Sequence, residues 1–222
     1  EWILQSNLGL RDNSNISSNY LINWTYPESY NLVSNLNQID IPKSLKNGYI
    51  STLWMASDLS SPEFIFDEED NFKTINLDDH FTIVTDIIPK KNSEVDIEQS
   101  LKQIYNFTNS LLSPLKQKKI LILKKDYAKN PLVGITEVVP FLNPFSDSFI
   151  YETKFIKAYL ATYLHELLII DKRKKHWIPG GIQTYVMMKY VESFYSKNKF
   201  LGALKDFSIL GIRPFNSYSA AQ

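Results

Sequence analysis

The run Tyr163-Leu164-His165-Glu166-Leu167-Leu168-Ile169 sets a histidine and a glutamate side by side in an otherwise apolar stretch. Such a pair is half of the arrangement H-E-x-x-H, in which two imidazoles one helical turn apart hold a zinc ion. The glutamate between them takes a proton from the metal-bound water. Here the position one turn after His165 is Ile169, which brings hydrocarbon where the second nitrogen would stand. Upstream, Val133-Gly134-Ile135-Thr136-Glu137-Val138 carries a single carboxylate that could pair with an amine or another cation. Downstream, Trp177-Ile178-Pro179-Gly180-Gly181-Ile182-Gln183-Thr184-Tyr185 follows a basic turn, Lys172-Arg173-Lys174-Lys175.

The elements that must position these residues fall into two halves. Residues 1–91 read as short strands between polar breaks: Tyr20–Tyr26 stopping at Pro27, Tyr49–Met55 after Asn47-Gly48, and His80–Ile88 stopping at Pro89. The acidic run Asp67-Glu68-Glu69-Asp70 reads as a solvated hairpin tip. From residue 92 the period turns helical. Ser93 with Asp96 has the form of a capping box before Ile97, Leu101, Ile104 and Leu111. Strands are expected at Ile120–Leu123 and Leu132–Val139, and a packed loop over Pro140–Phe149. A long helix is predicted over Ile150–Ile170, capped by Ser148, with Ile156, Tyr159, Leu160, Tyr163 and Leu167 on one stripe. Pro179 opens a further helix carrying Ile182, Tyr185, Val186, Tyr190 and Tyr195. Trp177, Met187 and Met188 are expected in the core.

Composition narrows the function classes. The 24 basic and 24 acidic residues balance, so the excess of positive charge that a nucleic-acid or membrane-surface binder needs is missing. A hydrophobic fraction of 44% in 222 residues can bury a core and argues against disorder. Without cysteine the chain has no disulfide framework and no thiolate metal site or nucleophile. Its apolar runs are far shorter than the roughly 20 residues of a membrane helix, so no membrane insertion is expected. A start at Glu1 suggests a processed or trimmed piece of a longer product.

Three motifs together resemble the aminopeptidase N-type zinc metallopeptidases, the gluzincins. His165-Glu166 matches the start of the H-E-x-x-H helix. Trp177, Ile178, Gly181, Ile182 and Tyr185 are similar to the family's W-L-x-E-G-x-A-x-Y, whose glutamate is the third metal ligand and falls on Gly180. Gly134 and Glu137 are similar to the G-A-M-E-N strand that holds a substrate's free amino group, with Val138 in place of the motif's asparagine. The resemblance covers residues 93–200, with a weaker match at Leu32-Val33-Ser34-Asn35-Leu36. It implies an α+β chain: the C-terminal part of an antiparallel β domain (1–91), then an incomplete thermolysin-like α/β, mostly helical domain (92–222).

The departures from the family shape the expected function. Of three protein ligands only His165 remains, since Ile169 and Gly180 occupy the other positions, and no residue is assigned the family's transition-state tyrosine. Structural zinc sites are worth about 10–16 kcal/mol over four ligands, or ~3–4 kcal/mol each. A lone imidazole would bind only at about millimolar. Glu166 is then a vestigial general base, His165 a hydrogen-bonded, partly buried helix histidine, and no cofactor is expected. The expected role is binding of a peptide or partner protein, with Glu137 and Gly134 in the groove. One alternative is an active metallo-aminopeptidase with a rearranged zinc site completed from outside this chain, and a rescue within it would need His176 and Asp171 to swing onto the metal. The other is a purely structural scaffold. Compartment and oligomeric state are open, an extracytoplasmic location being compatible with the sequence.

Overall fold

The computed structural model describes residues 3–5, 17–78, 80–91, 93–129, 146–167 and 177–195. Its strands are β1 (Ile3–Gln5), β2 (Ser18–Pro27), β3 (Asn31–Ser34), β4 (Asn37–Gln38), β5 (Lys43–Ser44), β6 (Tyr49–Leu59), β7 (Glu63–Asp67), β8 (Lys73–Asn76), β9 (Thr82–Thr85) and β10 (Lys119–Ile122). Its helices are α1 (Ile97–Leu111), α2 (Lys124–Lys129), α3 (Asp147–Leu167) and α4 (Trp177–Tyr195). The chain is a mixed α+β protein that divides into two units. One comprises residues 1–86 and 115–121, the other residues 87–114 and 122–222.

In the strand-rich unit, β2 alternates exposed Leu21, Asn23 and Thr25 with inward Tyr20, Ile22, Trp24 and Tyr26 and pairs antiparallel with β6, Trp24 opposite Thr52 and Ile22 opposite Trp54. β4 and β5 take the other edge of β6. The turn into β6 runs through Lys46-Asn47-Gly48 between the paired Leu45 and Tyr49, and takes its left-handed backbone at Asn47 and Gly48, with φ of 69° and 72°. β7 lies between β1 and β3 in a second antiparallel sheet. Leu36, Trp54, Leu59 and Phe64 form the core between these elements, joined by Tyr20, Ile22, Trp24, Leu32 and Ala56. Trp24 meets the edge of Phe64 at 5.2 Å and of Phe66 at 5.6 Å, the T-shaped geometry that aromatic quadrupoles favour. In the third sheet β9 lies between β8 and β10. Lys119 on β10 donates from Nζ to the Leu36 carbonyl at 2.8 Å and lies 5.6 Å from the Trp54 ring centre. Burial pushes its ammonium down to about 8, while the carbonyl and the indole face both favour the charged form.

Local chemistry corrects several expected boundaries. The third predicted strand, His80–Ile88, shrinks to β9, because its partner β8 offers four residues, Lys73 opposite Thr85 through Asn76 opposite Thr82. Asp67–Asp70 is no hairpin tip, since β7 and β8 belong to different sheets. Asp67 folds that connection by accepting from the backbone N–H of Asn71 at 2.9 Å and of Glu69 at 3.3 Å. Asp96, not Ser93, caps α1 by accepting from Gln99 N–H at 3.1 Å, and Ser93 accepts from Val95 just outside the helix. The cap of α3 is Ser146, whose hydroxyl accepts from Phe149 N–H at 3.2 Å, rather than Ser148 inside the first turn. Phe149, predicted in a loop, is therefore a buried residue of α3. The short α2 has no counterpart among the expected elements, and the predicted strand Leu132–Val139 lies outside the described residues.

Candidate functional site

The helical unit is built around α3. Phe149, Ile156, Tyr159, Leu160 and Tyr163 on its apolar stripe are all buried, and Phe155, Tyr159 and Tyr163 follow one another along it with ring centres 6.4 and 5.6 Å apart. Contacts with α4 run in falling register. Tyr195 meets the Phe149 ring at 4.9 Å, Tyr190 and Tyr195 reach Glu152, and Gln183 Nε2 donates to the Lys157 carbonyl at 2.8 Å. The two helices are thus antiparallel, so the opening of α4, with Gly180, lies toward the end of α3 that carries His165.

His165 is exposed in the last turn of α3, which corrects the expectation of partial burial: helical spacing puts it opposite the Tyr159–Tyr163 stripe. Glu166 belongs to α3 by its backbone, its side chain being outside the described residues. Gly180 is half-buried in the first turn of α4. Gly134, Glu137, Ile169, Asp171 and His176 lie outside the described residues. Tyr185 is 56% exposed and Met188 42% exposed, so the expected core face of α4 narrows to Val186 and Tyr190. Among the described residues no three His, Asp or Glu side chains converge as metal ligands would.

The structure adds a polar centre that the motifs did not indicate. Glu152, buried on the inner stripe of α3, accepts at Oε1 from Ser100 Oγ (2.9 Å). At Oε2 it accepts from Tyr190 Oη (2.6 Å) and Tyr195 Oη (2.5 Å). Gln103 Nε2 donates to Tyr190 Oη at 2.7 Å and comes within 3.5 Å of Oε2. One carboxylate therefore links α1, α3 and α4, and every polar group around it is a donor or a relay. Such an arrangement offsets the cost of burying a charge with short charge-assisted bonds. It leaves Oε2 no lone pair directed at a ligand, so Glu152 is a structural clasp.

The same unit holds five tyrosines whose ionisation is suppressed. Burial raises all of them. For Tyr190 and Tyr195 the hydrogen bond to Glu152 and its charge add to burial, and for Tyr151 the charge of Glu152 does. For Tyr159 the added cause is the neighbouring Tyr163 and Tyr105. Tyr163, whose hydroxyl donates to the Ser113 carbonyl, is pushed up to about 12 by burial and then by Tyr105. Each of these groups ionises near pH 10 once unfolded and later when folded. The native state then holds more protons than the unfolded state above about pH 10, and stability present below that pH is lost as pH rises. Each such tyrosine adds a slope of about 1.4 kcal/mol per pH unit. Following tyrosinate absorbance and helical circular dichroism together should show a late fraction of the 13 tyrosines ionising only as the helices unfold. A single smooth titration centred near pH 10 with helices intact would contradict this.

No protein-family model matches the sequence, and no curated protein matches it. The likeness to the aminopeptidase N-type enzymes stands on the residues quoted above.

Proposed function

We propose that this chain is a non-hydrolytic relative of the aminopeptidase N-type metallopeptidases, the end of an aminopeptidase-like β domain joined to a thermolysin-like α/β domain, and that it works by binding a peptide or a partner protein. The observation that carries this reading is the donor set. His165 and Glu166 keep half of the zinc motif, while Ile169 and Gly180 place carbon or nothing at the other two ligand positions. The antiparallel register of α3 and α4 supports the alignment, because it brings the opening of α4 to the His165 end of α3, where a third ligand would have to stand.

Without a held metal, no water is acidified and Glu166 has no proton to take. What the scaffold keeps is a surface near the end of α3 and, by the resemblance, the strand bearing Glu137, along which an extended peptide could add as a strand. Protein purified without chelator should contain far less than one equivalent of zinc and release no fluorophore from aminoacyl amides. It should still bind unstructured peptides in a polarisation assay. Stoichiometric zinc with hydrolysis would establish the active-enzyme reading instead, and failure to bind peptide would leave the scaffold role.

A further inference from the structure

The four-stranded sheet ends differently on its two sides. On one, β4 and β5 have two residues each, with Asp40 between them and Lys43 in β5, the short and charged form by which proteins blunt a sheet edge. On the other, β2 runs for ten residues, and among the described residues no strand lies beyond it. From Ser18 to Pro27 it carries no charged side chain. The edge strands of the other sheets, β1, β3, β8 and β10, have four residues or fewer. β2 is also less covered than its neighbour: Thr52 and Trp54 of β6 are buried, whereas Trp24 and Ile22 opposite them stay half-buried.

The pairing of β6 settles which backbone groups of β2 are unused. Ile39 N–H donates to the Leu53 carbonyl at 3.0 Å and Leu45 N–H to the Tyr49 carbonyl at 2.7 Å, so the odd-numbered residues of β6 serve β4 and β5. Its even-numbered residues serve β2, a ladder that Glu28 N–H continues by donating to the Gly48 carbonyl at 2.9 Å. In an antiparallel ladder successive residues turn their backbone groups to opposite sides. With Trp24 opposite Thr52, Ile22, Trp24 and Tyr26 therefore face β6, and Leu21, Asn23 and Thr25 direct N–H and C=O away from it. Those three side chains are exposed, and among the described residues nothing bonds their outward backbone groups. Both ends of this span are closed. Pro27 has no N–H, and a register shift between Ser18 and Tyr20 breaks the ladder.

We infer that β2 is a self-association edge, pairing antiparallel with β2 of a second copy across a two-fold axis at Asn23. That centre alone uses all three outward residues. Leu21 pairs with Thr25 of the second copy and Asn23 with its own equivalent, each pair exchanging two hydrogen bonds. A two-fold at Leu21 would run Asn23 against Asn19, beside the register shift, and one at Thr25 would run Asn23 against Pro27, which has no N–H to give. On the inward face the same register sets Ile22 beside Trp24, and Tyr20 beside Tyr26, of the second copy. These are the closer, non-hydrogen-bonded positions, where aromatic and β-branched side chains pair well. Charge decides the occupant. A two-fold at Asn23 brings a strand against its own residues, which like charges would oppose and this strand lacks, and the same neutrality gives an acidic or basic partner nothing to select. The contact is isologous and closes at two copies. It lies in the strand-rich unit and holds or fails independently of the peptide-binding reading.

Sedimentation equilibrium on the full chain tests this with Asn23→Lys and Asn23→Asp, each of which gives up only an exposed bond from Ser51 Oγ. Wild type should form a concentration-dependent dimer. Each variant alone should dimerise at least about tenfold more weakly, because two like charges then face each other across the axis. An equimolar mixture of the two variants should recover the dimer as opposite charges meet, which also shows that both are folded. Wild type that stays monomeric at about 1 mM, where millimolar affinities are visible, would overturn the inference. So would a dimer that both variants leave unchanged, since the contact then lies elsewhere. Weakening in both variants without recovery in the mixture would remove the two-fold at Asn23. A monomeric wild type that binds a synthetic peptide of residues 18–27 would assign the edge to an extended partner instead of a second copy.

Discussion

Replacing Glu152 with alanine is expected to destabilise the helical unit by about 3–5 kcal/mol. The loss has three parts. Ser100 Oγ and Tyr190 Oη, both on buried residues, are left without their acceptor, and a buried polar group without a partner costs about 1–3 kcal/mol. Tyr195, less deeply placed, can turn to water and loses less. Finally, the Cγ methylene and the carboxyl group taken away leave a void between α1, α3 and α4. Since whole domains are stable by only about 5–15 kcal/mol, this is a large share. Glu152→Gln separates charge from shape. Its amide oxygen can keep the two tyrosine bonds, and its nitrogen can donate to Ser100 in reverse, so about 1–2 kcal/mol should go. Urea unfolding followed by helical circular dichroism would read both variants. A loss below about 1 kcal/mol for Glu152→Ala would mean that the clasp contributes little.

That clasp shows where sequence reading stopped. The long helix, its aromatic stripe and the α+β division follow from local periodicity, because burying an apolar face fixes the spacing of the residues that form it. Glu152 lies within that stripe, between Phe149 and Ile156, and a carboxylate on a buried face is itself a signal, since glutamate is rarely covered without partners. What the sequence could not supply was the partners. Ser100 and Tyr190 are 52 and 38 residues away, and only the packing of three helices brings them together. Lys157, also buried on α3, is the same lesson with the sign reversed, a charge at a covered position that no local rule provides for.

Cap assignments failed for a smaller reason. Ser93 and Asp96, like Ser146 and Ser148, are all competent N-caps, and propensity alone does not choose between candidates two or three residues apart. The acidic connection after β7 has the pattern of a hairpin tip because a polar break between two strands looks the same whether the strands pair with each other or belong to different sheets. In the candidate site, His165 and Gly180 could be matched to a motif by type and spacing, but neither the exposure of His165 nor the antiparallel register of α3 and α4 is encoded in seven or nine consecutive residues.

Restoring the missing donors should produce the largest gain of function. Ile169→His with Gly180→Glu returns an imidazole four residues after His165 and a carboxylate at the opening of α4. At about 3–4 kcal/mol per ligand, two added ligands are worth several powers of ten in affinity. Allowing for side chains that are not held in place by a second shell, zinc should bind at least about a thousandfold more tightly than to wild type. Neither single variant should approach this, because a chelate needs all its donors at once. Titration calorimetry with zinc would measure the affinity. A melting temperature that rises with zinc concentration would confirm that the metal binds the folded chain. Gly181→Glu in place of Gly180→Glu is the control: a Cβ at Gly181 meets nothing within 4 Å, so the side chain is tolerated, yet it points about 100° away around α4. If the Gly181 version binds as well as the Gly180 version, or if neither exceeds wild type, then Gly180 does not stand at a ligand position, and the alignment to the zinc enzymes fails with it.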